Sequence, residues 1–155
     1  VSVAGHFGEL LQGRLGPDGP LALVTLPCPA LRVTLTALAG RFSLHQPDGR
    51  AIPLDEARRL YPGNARLTLR ADMPLGGGAG VSTAARVALL RLGGMADGAE
   101  LAATCHALEG ATDPLMFPDP ARILWASREG RVLGRMPPLP IAASRARRPR
   151  PEPDA

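Results

Sequence analysis

The sequence predicts an α+β fold, and three observations carry that prediction. Short runs with apolar residues at alternate positions fill much of the first seventy or so residues. Two glycine-bounded apolar segments of helical length lie between Ala84 and Leu108. Two further β-type runs, Ile123–Ser127 and Arg131–Arg135, follow with a turn at Glu129-Gly130 between them.

Taken in order, the segment Gly5 to Gly13 is dense in glycine and polar groups and reads as an N-terminal hairpin. Ala22–Leu26 is a short apolar run that Pro27 and Pro29 are expected to stop. Leu31–Leu38 alternates Leu31, Val33 and Leu35 with Arg32, Thr34 and Thr36, the signature of a half-buried strand. Arg41–Leu44 is expected to pair with it across Ala39-Gly40, and Asp55–Leu60 has room for one or two helical turns. Arg66–Ala71 should point Leu67, Leu69 and Ala71 inward and Arg66, Thr68 and Arg70 outward. A glycine loop leads into the next helix, where Ser82 or Thr83 is the expected N-cap. That helix carries Val87, Ala88, Leu89, Leu90 and Leu92 and is expected to be buried, with Gly93-Gly94 ending it. Asp97 with Glu100 resembles a capping box opening a second helix to about Leu108, which Gly110 stops. From Pro137 onward prolines and arginines dominate. Residues 142–155 are expected to be a disordered Pro/Arg-rich tail, leaving 1–141 as one domain.

Composition narrows the function classes. A chain of 155 residues with 45% apolar content suits one domain with a sizeable core, and 3% aromatics means a core of Leu, Val and Ala. Half of the formal charge of +4 sits in Ser144–Ala155, so the body is nearly neutral, which argues against a nucleic-acid ligand. Cys28 and Cys105 lack metal spacing and are expected to be reduced thiols. There is no secretory pattern in residues 1–20 and no apolar run of roughly 18 residues, so a cytoplasmic, membrane-free protein is expected.

Three segments have the residue types for chemistry. The first is Pro74-Leu75-Gly76-Gly77-Gly78-Ala79-Gly80-Val81-Ser82-Thr83-Ala84. Glycines before a helix N-terminus aim backbone N–H groups and the positive end of the helix dipole at one point, which suits an anion such as phosphate. The plainer alternative is a surface linker. All 18 cationic residues are arginine, so a Walker loop, which needs lysine, is excluded. The dinucleotide fingerprint fails at Val81. A nucleophile elbow at Ser82 is disfavoured by about ten loop residues before it and by His106 as the only downstream histidine. The second segment is Glu109-Gly110-Ala111-Thr112-Asp113, two carboxylates bracketing a turn. One suits a divalent cation and the other a proton transfer, against the plainer reading of a helix end with an Asx turn. The third is Gly5-His6-Phe7-Gly8-Glu9-Leu10-Leu11-Gln12-Gly13, in which a lone His6 is more often structural than catalytic.

Together and in this order the three resemble the GHMP kinases, and within them the L-threonine kinases of the propanediol-utilisation and cobalamin-synthesis type. Gly5, Gly8, Glu9, Leu10, Gln12 and Gly13 match an opening of the form Gly-x-x-Gly-Glu-Leu-x-Gln-Gly. Pro74, Gly76, Gly78, Ser82, Thr83 and Ala84 fall in register with the family's nucleotide loop, and Glu109, Thr112 and Asp113 with its later acidic segment. The likeness covers about Gly5 to Pro140. Val81 stands where a serine is usual, and Gly77 where the threonine-kinase branch commonly has lysine.

The resemblance implies a ribosomal-protein-S5-domain-2-like fold, the N-terminal half of a GHMP kinase without its usual C-terminal domain. It implies ATP and Mg²⁺ as cofactors and phosphoryl transfer to the hydroxyl of a small molecule, L-threonine being the expected acceptor. By the same likeness Pro74, Gly76, Gly77, Gly78, Ala79, Gly80, Ser82 and Thr83 would bind the nucleotide. Ser82 and Glu109 would hold the metal, Asp113 would be the base, and Glu9 and Gln12 would lie by the substrate. A face left open by the missing domain would favour self-association.

Overall fold

A computed structural model describes residues 1–138, and the expected tail at 142–155 lies outside the described residues. Among the described residues the chain forms a mixed α+β structure: a six-stranded sheet with helices against it. The long strand β2 (Leu21–Ala39) is its spine. Strand β1 (Ser2–Arg14) runs antiparallel along one edge of β2, from Val3 opposite Val33 to Gln12 opposite Leu23. The other edge of β2 is divided. The strand β4 (Ala65–Ala71) pairs with its C-terminal half, and β5 (Ile123–Ala126) with Ala22 and Leu23. The short β3 (Ser43–His45) and β6 (Arg131–Arg135) extend the sheet beyond β4 and β5.

Two expectations about the strands are corrected. Pro27 and Pro29 do not end the strand, which runs on to Ala39. The β1–β2 ladder jumps from Cys28 opposite Gly5 to Arg32 opposite Ala4, so Pro29 falls in a bulge. Neither β4 nor β5 reaches this stretch, and bulges on half-paired strands tolerate proline. Nor does the segment after Gly40 fold back on β2. That edge is occupied by β4, and Ser43–His45 instead adds in parallel to the outer edge of β4.

Strand β4 keeps the expected alternation, with Leu67 and Leu69 buried and Arg66 and Arg70 exposed. One face of the sheet is covered by helices α1 (Leu54–Leu60), α2 (Val81–Leu92) and α3 (Ala99–Glu109). Helix α2 lies closest to the sheet. Ala84, Ala85, Val87, Ala88 and Leu89 are fully enclosed, packing with Val33, Leu35, Leu67 and Trp125 in one core. Small alanines let the helix approach the strands, and each enclosed Leu or Val contributes roughly 1.5–3 kcal/mol.

The caps also differ from expectation. The N-cap of α2 is Gly80 in the left-handed region (φ 75°), and Ser82 and Thr83 fall inside the first turn. Gly98, not Asp97, precedes α3, and Asp97 instead accepts a hydrogen bond from Arg91 Nε at 2.6 Å. All three displaced side chains have stronger partners elsewhere: a charged partner outbids a capping N–H. The end of α3 is as expected, with Gly110 in the left-handed conformation.

The segment after α3 is sewn to β5. Thr112 N–H donates to Ser127 O at 3.2 Å, and the buried Trp125 Nε1–H donates to Thr112 O at 2.6 Å. A tryptophan buried this deeply needs a partner for its one N–H, and the bond it makes fixes the backbone just before Asp113.

Candidate functional site

The glycine loop and the N-terminus of α2 form one wall of a cleft of about 420 Å³. Gly76, Gly78 and Gly80 have φ of 74°, 71° and 75°, while the residues between them keep negative φ. Alternating φ of this kind is the backbone of an anion-binding concavity, with the Gly77 N–H already donated to Pro74 O at 3.3 Å. The loop is held from behind by β1. His6 N–H donates to Ala79 O at 3.2 Å, and a Cβ on Gly5 would lie 2.7 Å from that same oxygen, so only glycine permits the approach.

The opposite wall holds the acidic segment. Glu109 ends α3, and its carboxylate accepts from Ser82 Oγ (2.6 Å) and Thr83 Oγ1 (2.6 Å). Arg86 Nη1, one turn further along α2, is the third donor to it, at 2.5 Å. The same guanidinium grips Glu56 of α1 through Nε (2.6 Å) and Nη2 (3.2 Å). The three helices are thus joined through one cation shared by two carboxylates, all close to nine-tenths buried.

Asp113 faces the cleft from the turn after α3, and its Oδ2 lies 2.9 Å from Nε2 of His6, which is 3% exposed. His6 Nδ1 accepts the Gly8 N–H at 3.1 Å, so in the neutral ring the proton sits on Nε2, facing Asp113. Nε2 and Oδ2 are close enough for an ion pair but poorly aligned for a hydrogen bond. Burial pulls the pKa of His6 down. Contact with the Asp113 carboxylate and its charge, with a further push from Glu9, outweigh burial and leave the pKa above the ordinary histidine value. Ligand atoms of His6, Glu9 and Asp113 all lie within 4.8 Å of one another. The tautomer set by Gly8 makes Nε2 a donor rather than a metal ligand, which favours an ion pair with Asp113 over a metal cluster.

Of the residues singled out in the sequence, Gly76, Gly78, Ala79, Gly80, Ser82 and Thr83 line the cleft together with Glu109 and Asp113. Pro74 and Gly77 line an adjoining depression beside His6 and Phe7. Glu9 reaches the His6–Asp113 pair, whereas Gln12 is exposed on β1 opposite Leu23, away from the cleft. Sequence reasoning missed Arg86 and Glu56, and it missed Arg50, which also lines the cleft. One signal for Arg86 was available: a charge in the middle of a helix that is apolar on most sides requires a buried partner. Among the described residues no helix is long and apolar enough to cross a membrane. The chain matches no protein-family model and no curated protein.

Proposed function

We propose that this chain is the ATP-binding half of a GHMP-type kinase, with the S5-domain-2-like fold of that family. In this reading it transfers the γ-phosphoryl group of ATP to the hydroxyl of a small molecule, with L-threonine as the expected acceptor. The observation that carries the proposal is the convergence of three sequence-distant segments on one cleft: an alternating-φ glycine loop, the Ser82–Glu109 pair, and Asp113 backed by His6.

Each part suits phosphoryl transfer, which depends mostly on positioning and charge neutralisation. The loop amides and the α2 N-terminus receive phosphate oxygens. Ser82 Oγ and the Glu109 carboxylate are hard oxygen donors that suit Mg²⁺. Three donors occupy Glu109, leaving about one of a carboxylate's four lone-pair positions. When bound there, Mg²⁺ would neutralise charge on the phosphates. Asp113, held by His6, is the group to accept a proton from the attacking hydroxyl.

Thermal unfolding with and without millimolar Mg²⁺-ATP tests the reading. Binding raises the midpoint through ligand linkage, and an unmoved midpoint in a folded sample removes the nucleotide claim.

A second reading is favoured by a different observation. Phe7, Leu10 and Leu11 are 70%, 50% and 53% exposed on β1, whose outer edge has no strand partner among the described residues. An apolar edge strand invites pairing with another copy. Sedimentation giving a monomer at all concentrations would remove this self-associating alternative.

A further inference from the structure

The cleft lies in a chain without lysine, and its charges are almost all accounted for. Glu109 is matched by Arg86, and Asp113 by His6. Among the described residues Arg50 is the one cationic side chain lining the cleft. Among the described residues it has neither an ion-pair nor a hydrogen-bond partner.

The loop that carries Arg50 is built to hold still. Gln46 Oε1 accepts the N–H groups of Ala51 (2.8 Å) and Ile52 (3.1 Å), and its Nε2 donates to Ile52 O at 2.9 Å. Ile52, at 1% exposure, anchors the end of the loop in the core. Asp48 Oδ2 accepts the Ala71 N–H at 3.1 Å, tying the loop to the end of β4. Gly49 then closes against the start of the glycine loop: with φ 112°, a Cβ there would lie 2.5 Å from Leu75 Cδ1. So much local bonding around an exposed arginine fixes its base and leaves its guanidinium free. That is the arrangement of a group preorganised for a ligand.

We propose that Arg50 is the phosphate-gripping cation of this cleft, reaching across from the Gln46-locked loop to the polyphosphate tail held by the glycine loop. The inference rests on the nucleotide reading above and adds to it the residue that supplies full positive charge. A planar guanidinium offers paired N–H donors to phosphate oxygens, and those bonds are about twice as strong as neutral ones. Affinity should therefore follow the charge of the phosphate tail.

Calorimetric titration of the full chain with Mg²⁺-ATP, Mg²⁺-ADP and adenosine tests this, comparing wild type with Arg50→Gln, Arg50→Glu and the exposed control Arg41→Gln. Arg50→Gln is expected to weaken ATP binding by about tenfold to a hundredfold and Arg50→Glu by more. Adenosine binding and the Arg41→Gln variant should be unaffected. ATP affinity within twofold of wild type in both Arg50 variants overturns the role of Arg50 while leaving the nucleotide reading intact. A wild-type chain that binds neither ATP nor ADP removes the nucleotide reading, and this proposal with it.

Discussion

Nε2 of His6, on the first strand, lies 2.9 Å from Oδ2 of Asp113, in the turn after the third helix. The pair joins the opening segment of the chain to its acidic segment beneath the glycine loop. It gives the lone histidine a partner that sequence reading did not assign.

Replacing Asp113 with Asn keeps the shape of the side chain and removes its capacity to take a proton. Phosphoryl transfer should fall by about 10²–10⁴-fold. The ATP-induced rise in the unfolding midpoint should persist. Equal loss of turnover and of that rise would mean that Asp113 serves binding rather than chemistry.

Because the pKa of His6 is raised in the folded state, the native protein binds that proton more tightly than the unfolded chain does. The stability this contributes is fully present below about pH 6.5, the unfolded value. It is lost as pH rises through the higher folded value. His6→Asn should therefore destabilise more at pH 5.5 than at pH 9, as read by urea midpoints. A pH-independent difference between the two proteins would contradict the contact with Asp113.

Arg86 is 11% exposed and holds two carboxylates from different helices. Arg86→Met removes the cation and leaves Glu56 and Glu109 facing each other with little water. A loss of about 3–5 kcal/mol is expected in chemical denaturation. Glu56→Gln, which keeps hydrogen-bonding capacity, should cost less, and the reverse order would exclude charge pairing as the cause.

Gly80 combines a left-handed backbone with tight surroundings: a Cβ there would lie 2.7 Å from His6 Cδ2. Gly80→Ala should lower stability by roughly 1–3 kcal/mol and weaken nucleotide binding. Gly78→Ala shares the positive φ but meets open space, so it should be the milder of the two. Equal effects would mean that backbone conformation alone sets the cost.

Burial pushes the thiol of Cys105 up to about 12, with the Glu109 charge adding to the effect. Cys28 is only partly buried. An aromatic disulfide reagent should modify Cys28 in the native protein and reach Cys105 only on unfolding. Rapid reaction of both thiols in the native state would show that α3 opens readily.

Much of this arrangement was legible in the chain because it is local. The alternation at Leu67 and Leu69, the glycine stops at Gly93 and Gly110, and the glycine loop all depend on neighbours a few residues away. The misreadings share a different cause. Ser82 and Thr83 looked like caps because capping is the commonest local use of a hydroxyl before a helix, but Glu109, distant in sequence, claims both. Pro27 and Pro29 looked like stops because nothing local reveals that the other edge of β2 is unpaired there. Glu56 resembles an ordinary surface charge until the helices close around Arg86, and Arg50 does so until its locked loop sets it at the cleft.

The bond from His6 N–H to Ala79 O makes one residue a tie between two walls of the cleft. Its backbone is fastened to the glycine loop and its ring to Asp113. A ligand that lifts the loop must tug the carboxylate, and a substrate that shifts the carboxylate must strain the loop. A displacement of either wall of the cleft therefore acts on the other through this one residue.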